Sequence, residues 1–459
     1  MLLTQGGEAD LENTLKVSDL KVQFYTRRGI YKALNGVDLQ LQQGEIFGVA
    51  GESGCGKTTL GLTIMGLLPY NASVTSGQVI LQGEGDLTAS LRESFSKGQD
   101  KFNLKQSESV TKKLNKQLAD IRGRRISMVF QDPMTSLNPV LQVGFQVAET
   151  VITHQPKSLA QRKLARTRAT REDLEQILKL LKTGADEQTI SKYAESKGLI
   201  GIESQVLNVW RRNDLGESKK EKIIISLHSE KLGSFDKIVL ENVEKKGNIP
   251  VWMRIPGLSR AAKNVLLREG YAKATELLSM LEVPNPDKVV RMYPHELSGG
   301  MRQRIVIAIA LANNPELVIL DEPTSALDVT VQAQILELTR HLKARFNTSF
   351  IFISHDLSVL AEVCDRIGIM YAGRIVEVAP TEVVFKKPLH PYTRMLTRAI
   401  PTIDGGEIQG IGGTVPDMRN VPPGCSFRPR CPDGDKCKDM KPEMVEIEEG
   451  HFVSCFQAR

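Results

Sequence analysis

The chain has 459 residues, 41% apolar and 25% charged, with a net charge of +6, which suits two or three domains around ample cores and excludes extensive disorder. No apolar run approaches the ~18 residues of a bilayer span; Ile305–Ala312 is too short and follows Arg302 and Arg304. Met1–Asp10 has neither a basic segment nor a sustained apolar one, so a cytosolic setting is expected, and the mild positive bias is compatible with an anionic membrane surface or nucleic acid without indicating either.

In chain order, Leu15–Phe24 and Val37–Leu41 alternate apolar and polar residues and read as strands, the second closing at the Gln43-Gly44 turn. Phe24 and Tyr25 end the first strand, where an aromatic can stack on an adenine ring or simply fill a core. The apolar run Ile46–Ala50 then leads into Gly51-Glu52-Ser53-Gly54-Cys55-Gly56-Lys57-Thr58 and a helical pattern from Thr59 to Leu68. That order of strand, Gly-rich loop and helix is what a phosphate-binding loop requires. Glycines let successive backbone N–H groups turn inward towards phosphates, and Lys57 adds a full positive charge. The Thr58 hydroxyl can ligate Mg²⁺.

Gly77–Leu81 reads as a further strand, and the polar stretch from Ser90 to Asp120 as a surface insertion with some helix. Ile126–Phe130 is a strand that gives way at Gln131 to the loop Asp132–Pro139, where prolines stop regular structure. From about 155 to 275 the composition changes: Lys157–Arg171 is strongly basic, and Leu174–Leu181 has a helical apolar face. Ile223–Leu227 and Lys237–Leu240 read as strands, giving an inserted α+β segment. Glu187–Arg212 has a weak helix-turn-helix pattern, but basic helices usually face water, and a solvated structural insertion is the preferred reading.

Regular organisation resumes with Leu297-Ser298-Gly299-Gly300 at the head of an apolar helix ending at Ala312. Leu317–Leu320 is a buried strand that ends in Asp321-Glu322; Ser349–Ile353 is another, followed by Ser354-His355-Asp356; and Ile367–Glu377 reads as a hairpin. Alternating strands and helices imply a parallel α/β core with chemistry at the strand carboxyl ends. There Asp321 would hold Mg²⁺ and Glu322 would polarise an attacking water.

In this order the motifs resemble the ATP-binding-cassette ATPase family: the phosphate loop 51–58, Gln131 in the Q-loop, the signature at 297–300, the Walker B strand ending in Asp321-Glu322, the D-loop Ser325-Ala326-Leu327-Asp328 and His355 in the H-loop. Gln131–Pro139, Met301–Arg304, Asp328–Gln334 and Leu389–Thr393 are similar to the oligopeptide/dipeptide importer branch. The resemblance implies an α/β fold with a RecA-like parallel core, an antiparallel β subdomain and a helical subdomain. It places the cassette at 1–385, the inserted segment at 155–275 within the helical subdomain, and a Cys-bearing extension at 386–459.

The resemblance also implies ATP and Mg²⁺ as cofactors. Phe24, Tyr25, Gly51, Ser53, Gly54, Cys55, Gly56, Lys57, Thr58, Thr59, Gln131 and Asp321 would contact nucleotide or metal; Thr58, Gln131 and Asp321 would hold Mg²⁺. Glu322, His355 and Gln131 would be catalytic. Ser298, Gly299, Gly300 and Asp328 would close on ATP held by a second cassette, in head-to-tail pairing. The implied partners are that second cassette (a homologous, distinct chain), two membrane permeases and an extracellular substrate-binding protein. The chain would sit peripherally on the cytoplasmic membrane face and power peptide uptake. Nickel or oligosaccharide cargo is the alternative within the same machinery. A soluble nucleic-acid-associated cassette ATPase is disfavoured, since the chain has neither a second cassette nor a long heptad coiled coil, and no nucleic acid is expected.

Cys425, Cys431, Cys437 and Cys455 crowd into the tail as C-x5-C-x5-C-x17-C among Pro422, Pro423, Pro429 and Pro432. A reducing cytosol disfavours disulfides, and the close C-x₂₋₄-C pairs of zinc sites are absent. Four thiolates can hold a [4Fe–4S] cluster, the reading that the resemblance favours; zinc and plain structural cysteines remain open. With a metal as staple of the tail, ATP binding at Lys57, in a separate core, is expected to survive loss of that metal.

Overall fold

Four short runs rich in Ile, Val, Leu and Phe are buried at every position, as parallel strands covered on both faces must be. They organise a computed structural model that describes residues 13–96, 108–211, 215–229, 232–247, 258–325, 327–400, 412–437 and 441–458. Met1–Asp10, Ala326 and Arg212, all invoked above, lie outside the described residues. The chain divides into two units, 1–132 with 314–459, and 133–313.

The first unit holds eleven described strands: β1 (Asn13–Thr26), β2 (Gly29–Gln42), β3 (Ile46–Ala50), β4 (Ala72–Leu81), β5 (Ile126–Val129), β6 (Leu317–Asp321), β7 (Ser349–Ser354), β8 (Arg366–Tyr371), β9 (Arg374–Pro380), β10 (Val445–Glu448) and β11 (His451–Val453). β2-β1-β4 form an antiparallel sheet. The larger sheet runs β10-β11-β9-β8-β3-β7-β6-β5, parallel from β8 to β5 and antiparallel at its β9 side. In register, Ala50 pairs with Ser354, Ile353 with Asp321 and Leu320 with Val129. The carboxyl ends of β3, β7, β6 and β5 therefore share one sheet edge, where open α/β sheets bind ligands.

Two expectations about added segments change. The stretch from 90 to 120 is more than a surface insertion. Its helices, Ala89–Ser96 and Glu108–Leu118, bury Leu91, Leu114 and Leu118 in the core shared with β1 and β4. The tail is likewise no separate body: Phe452 and Val453 of β11 pair with Val378 and Glu377 of β9. Buried Glu377 accepts the backbone N–H groups of Leu389 and His390 and touches His451 Nε2 at 2.8 Å.

Every regular element among the described residues of the second unit is a helix. Arg171–Lys182 starts in a capping box, with Thr170 and Asp173 each satisfying the other's backbone N–H. Glu187–Ser196 is capped by Asp186. These helices pack Leu174, Ile177 and Ile190 against Ile202 and Val206 of Ile202–Trp210. The segments expected to be strands at 223–227 and 237–240 fall in the helix Glu217–Ser226 with the 3₁₀ turn Leu227–Ser229 that follows it, and in the helix Ser234–Lys246. The cost of β-branched residues in a helix is only a few tenths of a kcal/mol each. Burial of Ile224, and of Val239, Leu240 and Val243 along one helical face, outweighs it. The inserted segment 155–275 is therefore α-helical rather than α+β among the described residues.

Candidate active site

Gly51–Gly56 follows β3, and the Lys57–Ile64 helix follows directly, with Gly56 as its N-cap at φ 110°. A β-carbon at Gly56 would meet the Ala33 carbonyl oxygen at 2.5 Å, and one at Gly51 would meet that of Met370 at 2.2 Å. Only glycine lets the loop lie this close to its neighbours. Lys57 Nζ donates to the carbonyl oxygens of Gly51 (2.6 Å) and Glu52 (3.1 Å), so its buried ammonium is tied to the loop it belongs to.

A cavity of about 350 Å³ opens over this loop, lined by Ser53, Gly54, Gly56, Lys57, Thr58 and Thr59, by Gln131 and Glu322, by His355, and by Tyr31 and Ala33. The structure thus gathers residues from the ends of β3, β5, β6 and β7 into one site. Thr58 Oγ1 donates to Asp321 Oδ1 at 3.2 Å, an oxygen pair of the kind that Mg²⁺ takes alongside substrate phosphates. Gln131 Nε2 donates to Glu322 Oε2 at 2.9 Å, and His355 Nδ1 lies 3.1 Å from Glu322 Oε1. Glu322 has left-handed backbone, φ 48°, a conformation costing a non-glycine residue about 1–3 kcal/mol. Its N–H is anchored to the Ile353 carbonyl at 2.9 Å.

Some expected residues fall elsewhere. Gly51 and Cys55 are buried, and burial pushes the Cys55 thiol up. Neither Phe24 nor Tyr25 lines the cavity; Tyr31 does. Phe24 pairs with Tyr31 across the β1–β2 hairpin, their rings 6.4 Å apart, and packs against the core. The hairpin register, which strand alternation alone does not set, was the missing signal. Ser298, Gly299 and Gly300 belong to the second unit, where Ser298 caps the Gly299–Leu311 helix through Met301 N–H at 3.4 Å. Asp328 caps the Val329–Phe346 helix.

In the tail, burial pushes the Cys425 thiol up, and the charges of Cys437, Cys455 and Cys431 push it further. Cys431 is raised likewise. Among the described residues no group of three or more His, Cys, Asp or Glu side chains is arranged to hold a metal ion. The donor set as folded does not form a cluster site.

A family model described as ABC transporter matches residues 34–325. The chain belongs to the ABC transporter family. A second model, oligopeptide/dipeptide transporter C-terminal region, matches residues 376–437. Among curated relatives, the oligopeptide transport ATP-binding protein AppD of Bacillus subtilis is 32% identical, with 97% of each chain covered. A probable peptide ABC transporter ATP-binding protein, y4tR of Sinorhizobium fredii, is 34% identical over 100% of this chain and 98% of its own. The dipeptide transport ATP-binding protein DppD of B. subtilis is 32% identical over 97% of this chain and 95% of its own. Among solved structures, the cassette MJ0796 with ADP and phosphate covers 80% of this chain and 98% of its own at 19% identity and a TM-score of 0.43. This ABC protein is an ATP-binding subunit and an ATPase. Among its described residues no helix is long and apolar enough to cross a membrane.

Burial, reinforced by the charge of Glu322, raises the Asp321 pKa, and Thr58 and Lys57 offset only part of this. A carboxyl group with a raised native pKa holds its proton in the folded chain to higher pH than in the unfolded chain. Stability therefore falls as pH rises from the unfolded value through the raised native one. Asp321→Asn keeps an acceptor for Thr58 and removes the charge. In nucleotide-free protein it should melt above wild type at pH 7, with the gap closing towards about pH 4, where aspartate protonates in either state. An equal or lower melting temperature at pH 7 would contradict the charge argument.

Proposed function

We propose that this ATPase powers a peptide importer, taking up di- or oligopeptides through separate permeases from the cytoplasmic face of the membrane. The hydrolytic part of the reading rests on one observation: Glu322 stands at the end of β6 with Gln131 on one carboxylate oxygen and His355 on the other. A carboxylate held this way, beside a phosphate loop, suits a general base that takes a proton from the attacking water. His355 and Gln131 aim it. The loop N–H groups and Lys57 would neutralise the β- and γ-phosphates. Thr58 and Asp321, with Gln131, would hold Mg²⁺, which supplies charge neutralisation on the phosphates when bound. Tyr31, which lines the cavity beside Phe24, would join Phe24 and Tyr25 as an aromatic for the adenine ring.

Ser298, Gly299, Gly300 and Asp328 would act on nucleotide held by a second, homologous cassette. The loop after Gln131 would meet the permeases, and a binding protein would deliver cargo. The matched C-terminal region and the peptide-transport names of the relatives support peptide over nickel or oligosaccharide. The cassette would span 1–385 and the extension 386–459.

In proteoliposomes holding the chain with its permeases, peptide-loaded binding protein should stimulate ATP hydrolysis. Glu322→Gln should cut the stimulated turnover by about 10²–10⁴, the span for a lost general base, while Mg-ATP still binds. Near-normal turnover in the variant would remove Glu322 from the role. Stimulation by a nickel complex or an oligosaccharide in place of peptide would reassign the cargo.

For the tail, the reading of Cys425, Cys431, Cys437 and Cys455 as [4Fe–4S] ligands rests on their number and chemistry alone, since as folded they form no metal site; zinc and plain structural cysteines stand beside it. On the cluster reading, anaerobically purified protein should be brown and contain about four irons per chain. One zinc per chain without colour would favour the closed tetrahedral alternative. Neither metal, with both supplied, would leave the cysteines structural.

A further inference from the structure

The phosphate loop carries an acidic residue, Glu52, and the structure shows what holds it. Both oxygens of its carboxylate accept from Arg430, Oε2 from Nη1 at 2.6 Å and Oε1 from Nη2 at 2.9 Å. The Arg430 side chain is 3% exposed and that of Glu52 28%. Arg430 lies in the tail, between Phe427 and Cys431. Its Nε donates to the Gly412 carbonyl at 2.9 Å, and its guanidinium lies 5.8 Å from the Tyr371 ring centre and 5.9 Å from that of Phe427. Those two rings and Tyr392 pack at 4.6–5.3 Å, and the Tyr392 hydroxyl accepts the Glu52 N–H at 3.0 Å. Residue 52 is thus tied three ways, by its N–H to Tyr392, its carbonyl to Lys57 and its carboxylate to Arg430.

We infer that Arg430 is a positioning residue for ATP binding: the tail reaches back to the phosphate loop and neutralises a carboxylate that would otherwise repel the nucleotide. This rests on the assignment of ATP to loop 51–58. The physical ground is charge. ATP brings several negative charges to a loop in which a bare Glu52 would oppose them at low effective dielectric. A bidentate, desolvated guanidinium cancels that carboxylate and fixes its direction, which a solvated lysine would not do as well. It also ties the tail and the ATP site together, against the expectation that they lie in separate cores.

The test titrates Mg-ATP into the full-length chain by calorimetry and measures KM and kcat in the assembled transporter. Arg430→Gln should weaken Mg-ATP binding about tenfold, the scale of one uncancelled, partly screened like charge near the phosphates, and raise KM with kcat little changed. Adding Glu52→Gln should restore affinity to within about threefold of wild type, because the repelling charge is gone. Glu52→Gln alone should bind at least as tightly as wild type. Wild-type affinity in Arg430→Gln would overturn the inference. So would a loss that the double variant does not recover, which marks a structural role, or weaker binding by Glu52→Gln, which carries the argument even if Arg430→Gln fails to fold. A wild-type chain that takes up no Mg-ATP would instead sink the ATP-site assignment itself.

Discussion

The structure depends on a close approach of backbone to backbone: the phosphate loop lies against the carbonyl oxygens of Ala33 and Met370 at distances that admit no β-carbon at Gly56 or Gly51. That contact holds the loop at the carboxyl end of β3 and fixes where Lys57 emerges. The loop is also bound by its own residues, since the Lys57 ammonium bonds to the Gly51 and Glu52 carbonyls. Such a loop is preorganised. An arriving anion replaces contacts already aligned with it rather than having to order a free segment.

Around the loop, the sheet does the positioning. β3, β5, β6 and β7 run parallel and in register, so residues far apart in the chain reach one edge. Two carboxylates are placed there for different work. Asp321 is buried beside Thr58; Glu322 turns outward on strained backbone towards Gln131 and His355. A third carboxylate, Glu52, would spoil an anion site if left bare, and the tail guanidinium of Arg430 is set against it. The charge balance of the site therefore draws on residues from 52 to 430.

The sequence made the site legible where its chemistry is local. The phosphate loop, the Asp321-Glu322 strand end and the His355 turn each carry their meaning within a few residues, and the structure brings them together as their order implies. Strands buried on both faces were readable for the same reason. Ile223–Leu227 misled because a short β-branched run looks alike in strand and helix, and only the packing of Ile224 decides between them. Tyr31 was missed because its place depends on pairing with Phe24 across a hairpin. The bond between Arg430 and Glu52 spans 378 residues, and no local pattern announces a contact at that range.

The central claim is that the glycine loop and Lys57 form the ATP site. Calorimetric titration of Mg-ATP into wild type and Lys57→Ala tests it most directly, with circular dichroism to show that the variant remains folded. The ammonium meets the β- and γ-phosphates in a site of this kind; its removal should abolish measurable binding or weaken it by at least about tenfold while the fold persists. Equal affinity in the two proteins would contradict the account.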